Sequence, residues 1–407
     1  MNSLVTRFLR YARVHTTSDP DSQSTPSTER QFDLLRMLRD ELLTMGLKNV
    51  HLSDRGALYA TLPGSGPAIG LIAHVDTSPD APGKDVEPVL HSDWDGSAIE
   101  LAEGQVIDPA DCSDMERYVG GTIITSDGTT LLGADDKAGV AIIMEVLQRL
   151  IDQPDIPRPP VRVAFTTDEE VGRGVDGFDT ERLEARFAYT VDGSAVGRVD
   201  HQTFTAWKAS WTIHGREVHP GYAKGAMISA LRMASQLVDM VGADRMPEAS
   251  AGMEGYIYPH SLNATVGRAE VEMLIRDFTA EAGEAKIEQL HAMRAYLEAA
   301  YPGSRVDLEV CEQYRNPAEV LRSDSRPVDY AMEGTRMAGL DPVLASIRGG
   351  TDGSRLSYMG VPTVNLPTGG ELFHSRREWV AVEGMQMAME TVLNTLRVWG
   401  SREGEDA

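Results

Sequence analysis

Cysteine is scarce in this chain. Its 407 residues include two, Cys112 and Cys311, far apart and in no CxxC pair. That excludes a cysteine-rich zinc site and reads as two reduced structural thiols of a cytosolic protein. Positive charge is also in deficit: 38 basic residues face 62 acidic ones, a net charge of −24. Nucleic acid and anionic membrane surfaces both need a basic face, so neither is an expected partner. No apolar run approaches membrane-spanning length. The opening stretch, Met1 to Thr17, lacks the continuous apolar core of a signal peptide. It places Arg7, Arg10 and Arg13 between apolar residues and reads as a first amphipathic helix. The expected location is the cytoplasm. There is no internal repeat and no low-complexity tract.

What is present is ordinary for a globular protein: 42% hydrophobic and 25% charged residues, at a length that favours two domains over one. In the first half, short apolar runs alternate with helical patterns. The spacing predicts a helix over Thr28–Met45, with Thr28 and Gln31 as a capping box and Phe32, Leu35, Leu38, Leu42 and Met45 as one stripe. Strand-like runs follow at Ala57–Thr61, Ala68–Ala73 and Thr122–Thr125, then a helix over Ala138–Ile151, then runs at Val161–Phe165 and Ala188–Val191. This order predicts an α/β fold, a mixed sheet covered by helices on both faces. From Ala206 to Cys311 the rhythm changes to βαββαβ: Lys208–His214, a helix from Ser229 to Val241, strands near Gly255–His260 and Glu270–Arg276, a long helix capped by Thr279, and Arg305–Val310. That is a two-layer unit able to bury its own core. We read 206–312 as an insert into a catalytic domain made of 1–205 plus 313–407. The sheet domain resumes with helix Pro327–Gly339, strands Val343–Ile347 and Thr363–Leu366, and a helix from Glu383 to Trp399. The acidic end, Ser401 to Ala407, is expected to fray.

Chemistry gathers where strands end. His74 and Asp76 lie two apart, so their side chains leave a strand on the same side. A metal-binding histidine donates its second ring N–H to a carboxylate, and Asp76 is placed for that; alone, the pair is weak. Asp135-Asp136 follow Leu131-Leu132-Gly133-Ala134. Two adjacent carboxylates are not buried without a cation, although both also suit a helix N-terminus. Glu169-Glu170 allow one to hold an ion and the other to act as general base; the competing reading is a solvated acidic turn that includes Asp168. Asp192 precedes a glycine and alone would be a turn residue. His374 alone would be structural. Taken together, one bridging carboxylate with one histidine and one carboxylate per ion accounts for the set, and Asp135 and Asp136 both stay open as the bridge.

The runs His74-Val75-Asp76-Thr77, Gly133-Ala134-Asp135-Asp136-Lys137-Ala138-Gly139 and Asp168-Glu169-Glu170-Val171-Gly172, with the late His374, resemble the M20 family of dinuclear zinc peptidases, and within it the tripeptide aminopeptidases. The resemblance covers nearly the whole chain. It implies two Zn²⁺ ions per chain, with Co²⁺ or Mn²⁺ as substitutes. Asp135 would bridge them, His74 and Asp192 would complete one site, and Glu170 and His374 the other. Asp76 would support His74, Glu169 would be the general base, and the Asp135-Asp136 peptide would be cis. In the insert, the run His214 to Gly221 resembles the family's lid motif, whose histidine, here His219, contacts the reacting carbonyl; Asn263 and Arg276 match lid positions that hold substrate. The run Gly349 to Arg355 reads as a glycine-rich loop in which Arg355 could meet a peptide carboxylate. The implied substrate is a short peptide that loses its N-terminal residue, and the implied assembly is a monomer or homodimer. The alternatives are another hydrolase of the family (dipeptidase, carboxypeptidase or N-acyl amino acid deacylase) and, further off, a non-catalytic peptide-binding protein. The presence of Glu169 speaks against the last, since binding needs no base.

Overall fold

The computed structural model describes residues 3–403. The chain divides into two compact units: Met1–His201 with Pro317–Ser346 and Thr351–Ala407, and Gln202–Asn316 with Ile347–Gly350. No helix among the described residues is long and apolar enough to cross a membrane.

The first unit is built on an eight-stranded sheet. Its strands are β1 (Lys48–Leu52), β2 (Leu58–Leu62), β3 (Ile69–His74), β4 (Val161–Thr166), β5 (Phe187–Gly193), β6 (Arg198–Thr203), β7 (Val343–Ile347) and β8 (Thr363–Pro367). Their spatial order is β1-β2-β4-β3-β5-β8-β6-β7. The central four, β4, β3, β5 and β8, run parallel. β1, β2 and β6 pair antiparallel, so the sheet is mixed. The parallel strands are buried along almost their whole length, which is why they read as continuous apolar runs. Along β3, Ile69, Leu71 and Ala73 join one core and Ile72 the opposite one, as a period of two requires.

Helices cover both faces. On one lie α1 (Ser3–Ala12), α2 (Gln31–Thr44), α3 (Ala134–Asp152), α4 (Arg326–Met337) and α6 (Val382–Glu403); on the other lies α5 (Asp352–Tyr358). α3 packs directly on β3 and β5. Gly139 makes this close approach feasible, because a Cβ there would run into the carbonyl of Val191 at the end of β5.

Several expectations are corrected. The first helix ends at Ala12, not Thr17. The capping box at Thr28 does not form: α2 starts at Gln31, Arg30 gives no side-chain cap, and the Gln31 side-chain amide donates to the Thr28 hydroxyl at 3.1 Å and to Asp168 at 2.7 Å. Ile123–Thr125 joins a separate small sheet with Val89–His91, Trp379–Ala381 and Gly370–Glu371. The run Gly349 to Arg355 is not all loop, since Asp352 opens α5 behind a capping box made by Thr351 and Ser354. The acidic end is helical through Glu403; the expectation of fraying over 404–407 lies outside the described residues.

The second unit is an antiparallel four-stranded sheet in the order Tyr256–Ala264, Arg268–Asp277, Thr205–His214, Arg305–Tyr314. Helices Ala230–Val241 and Ala280–Ala300 contribute Leu237, Leu290 and Leu297 to a core with Ala209, Trp211 and Ile213 of the first central strand. Ser229 and Thr279 cap those helices through the amides of Arg232 and Ala282.

Candidate metal centre and active site

β3 ends on His74, β5 carries Asp192 near its end, and the turn after β4 delivers Asp168, Glu169 and Glu170. In a parallel sheet these ends lie side by side, where ligands bind. α3 starts over the same edge and brings Asp135. The result is two groups of ligand atoms, each within 4.8 Å of one another: His74, Asp135 and Asp192 in one, Asp135, Glu170 and His374 in the other. His74 Nε2 lies 3.0 Å from Asp135 Oδ1 and 3.6 Å from Asp192 Oδ1. His374 Nε2 lies 2.8 Å from Glu170 Oε2 and 3.3 Å from Asp135 Oδ2. Asp135 is thus common to both groups, one oxygen toward each histidine.

Asp136 faces elsewhere. It is fully buried, and its carboxylate accepts from the amides of His74 and Gly139, each at 3.2 Å. The Asp135-Asp136 peptide is cis. Asp76 is fully buried too; its Oδ1 stands 3.3 Å from His74 Nδ1. The same carboxylate accepts from the amides of Glu169 and Glu170, at 3.1 and 3.2 Å, so it supports both neighbouring segments.

The Glu169-Glu170 turn is held by its first residue. Asp168 is buried rather than solvated and adopts a left-handed conformation at φ 64°. Its carboxylate takes the Ser27 amide at 2.6 Å, the Ser27 hydroxyl and the Gln31 amide. Its own N–H donates to Gln31 Oε1 at 3.0 Å. A strained backbone residue persists only when its surroundings over-determine it, and these contacts do so.

The donor set fits cations. Glu170 Oε1 is buried with no hydrogen-bond partner among the described residues. Burial, with Asp135 nearby, pushes the Glu170 carboxyl up to about 8 and that of Asp192 to about 7. Burial also drives Glu169 and Asp136 well above the usual carboxylate range. Burial opposes the charge of Asp135 as well, but hydrogen bonds from His374 and His74 outweigh it and hold that carboxyl low. Hydrogen bonds to Asp135 and Glu170 push His374 up to about 11. A buried cluster of this kind is short of positive charge. Oxygen and imidazole donors in this arrangement suit zinc and related divalent ions.

Three nearby carboxylates had no signal in the sequence. Asp80 Oδ2 lies 3.5 Å from His374 Nδ1. Asp352 accepts from Thr166 Oγ1 at 2.8 Å. Glu378, 1% exposed, takes three backbone amides of the segment that delivers Asp135. Spacing rules see a motif's own neighbours, and these partners come from other parts of the chain.

The remaining sequence candidates are not among these metal-ligand groups. Arg355 pairs with Asp176 Oδ1 at 2.7 Å and donates to the Gly172 carbonyl at 3.1 Å. In the second unit, His219 is exposed and its Nδ1 accepts from the Gly221 amide at 3.1 Å, which leaves the proton on Nε2. Asn263 is exposed on its strand. Arg276 donates to the Trp207 and Ile275 carbonyls and lies over the Tyr314 ring.

Comparison with known proteins identifies the family. Residues 131–398 match the model of peptidase family M20/M25/M40. The chain is 42% identical over 402 residues to peptidase T of Geobacillus kaustophilus, covering 97% of this chain and 98% of the relative. Among solved structures, a tripeptidase from Staphylococcus aureus superposes with a TM-score of 0.78 at 22% identity, covering 98% of each chain. The aminopeptidase PepT of Bacillus cereus superposes with a TM-score of 0.76 at 22% identity, again over 98% of each. With its ligand-bearing strand ends, its mixed sheet and its full-length similarity to peptidase T, the chain belongs to the M20/M25/M40 family of peptidases.

Proposed function

We propose that this protein is a dinuclear zinc aminopeptidase that removes the N-terminal residue from tripeptides. The observation that carries the reading is the pair of three-ligand groups sharing Asp135. His74 and Asp192 would hold one ion, Glu170 and His374 the other, and Asp135 both. When bound, the two ions polarise the scissile carbonyl and supply hydroxide at neutral pH. Glu169 accepts the proton of the attacking water and passes it to the departing amine. Asp76 fixes the ring of His74 and, through the amides of Glu169 and Glu170, the position of the base. From the second unit, read as a lid, His219 is assigned to the reacting carbonyl, where its Nε2–H would donate; Asn263 and Arg276 are assigned to the substrate backbone. Arg355 is assigned to a substrate carboxylate, for which it must exchange its pairing with Asp176.

The substrate class is tested with Ala-Ala, Ala-Ala-Ala and N-acetyl-Ala-Ala-Ala. We expect free alanine from the unblocked tripeptide only. Equal cleavage of the acetylated tripeptide would move the reading to a carboxypeptidase or deacylase, and preference for Ala-Ala to a dipeptidase.

A further inference from the structure

The shared aspartate sits on an irregular segment at the start of α3. Gly133 is left-handed at φ 78°, and Asp135 and Asp136 have non-helical dihedrals although α3 already includes them. The amides of such a segment need partners from elsewhere. Glu378 supplies them: its Oε2 accepts from Leu132 N at 2.8 Å and Gly133 N at 2.7 Å, and its Oε1 from Asp135 N at 2.9 Å. A carboxyl group hidden from water is costly unless its lone pairs are used, and three backbone amides of one short segment use them. Glu378 also lies four residues after His374. Its own amide donates to Ser375 O, and the Ser375 hydroxyl donates to Leu372 O. The turn carrying His374 and the segment carrying Asp135 are therefore clamped together by one side chain.

We infer that Glu378 is a positioning residue that locks the shared aspartate against the second histidine and so sets the affinity of the ion those two residues hold. This rests on the dinuclear reading above. Glu378 touches none of the ligand atoms; it acts through the backbone of Asp135. The role predicts a selective defect. Glu378→Gln keeps size and shape, and one end of the amide still accepts, but the other end then points an N–H at an N–H. Glu371 provides the control. It is a buried carboxylate three residues before His374, but it receives the amide and hydroxyl of Ser113 and not the amides of the Asp135 segment.

The experiment is zinc titration of the metal-stripped full-length protein by calorimetry, with elemental analysis, on wild type, E378Q and E371Q, alongside melting curves of the metal-free forms. Wild type should take up two ions. E378Q should keep the first and bind the second about 10- to 100-fold more weakly, the usual loss when a group supporting a metal ligand is removed. Its kcat should fall with KM little changed. E371Q should melt lower but bind both ions as wild type does. Normal uptake of both ions by E378Q, or an equal loss in E371Q, overturns the inference and leaves the dinuclear reading intact; a wild type that takes up no pair of ions overturns that reading first. Should E378Q not fold, E378D carries the same test, because it keeps the charge and withdraws the oxygens by one methylene. Failure of both to fold, with E371Q folded, would make Glu378 a purely structural residue and also overturn the inference.

Discussion

Glu169 and Glu170 are adjacent, chemically identical and differently employed. Glu170 directs one oxygen at His374 and leaves the other buried without a partner among the described residues. Glu169 appears in neither ligand group. Glu169→Gln should therefore keep the fold and the metal while turnover drops by the roughly 10²–10⁴ that a general base contributes. Asp135→Asn should instead lose metal, since both groups share it. Elemental analysis beside kcat checks this, and metal loss in Glu169→Gln but not in Glu170→Gln would reverse the two roles. His219 calls for a different reading. Its Nδ1 is engaged by the Gly221 amide, so a merely local role predicts a lower melting temperature for His219→Ala with normal turnover. The proposed role predicts the opposite: kcat falls more than KM rises, and melting is nearly unchanged. At this scale the local pattern left one choice open, Asp135 or Asp136, and the family resemblance pointed to Asp135. Their surroundings make the same choice, because Asp136 is taken by the His74 and Gly139 amides, contacts that no local pattern encodes.

At the scale of elements, the site depends on how closely α3 approaches β5. The contact is between Gly139 and the Val191 carbonyl, one residue before Asp192 and four after Asp135. Gly139→Ala would favour the isolated helix by roughly 0.5–1 kcal/mol, yet the added methyl must push helix and strand apart. Overpacking of this kind costs about 1–3 kcal/mol, so the net effect should be a lower melting temperature with weakened metal binding. A variant that melts at or above wild type and keeps its metal would show that the close approach is not required. The elements themselves were largely legible, since the apolar periods at Ala57–Thr61, Val161–Phe165 and Ala188–Val191 match β2, β4 and β5 within a residue or two. The capping box was not. Thr28 and Gln31 have the right spacing and their side chains do bond, but α2 starts only at Gln31, and the Gln31 amide also serves the buried carboxylate of Asp168. β1 escaped notice because it is a mostly exposed edge strand, without the apolar alternation that marks a half-buried one.

For the whole molecule, metal and fold are linked. Ions that bind the native state and not the unfolded chain stabilise it by mass action. The carboxylates Asp192, Glu169 and Glu170 are pushed upward by burial and by neighbouring carboxylates, Asp135 among them, so removing the ions leaves charge repulsion or forces protonation. A chelator should abolish hydrolysis and lower the melting temperature together, and added zinc or cobalt should restore both. Full activity in a protein shown to hold one ion or none would overturn the dinuclear mechanism.

The sequence by itself determined most of the order of elements, the mixed sheet with helices on both faces, and the placing of His74, Glu169-Glu170 and Asp192 at strand ends. Those properties follow from burial period and turn chemistry, which repeat over a few residues and are written locally. Only the tertiary structure decided that Asp136 turns to the His74 amide, that Asp168 is an anchor rather than a solvated turn residue, and that Glu378 holds the Asp135 segment. Each of these depends on a hydrogen bond between residues more than sixty positions apart. A buried carboxylate is satisfied by whatever donors the fold brings within reach, and no spacing rule records which those are.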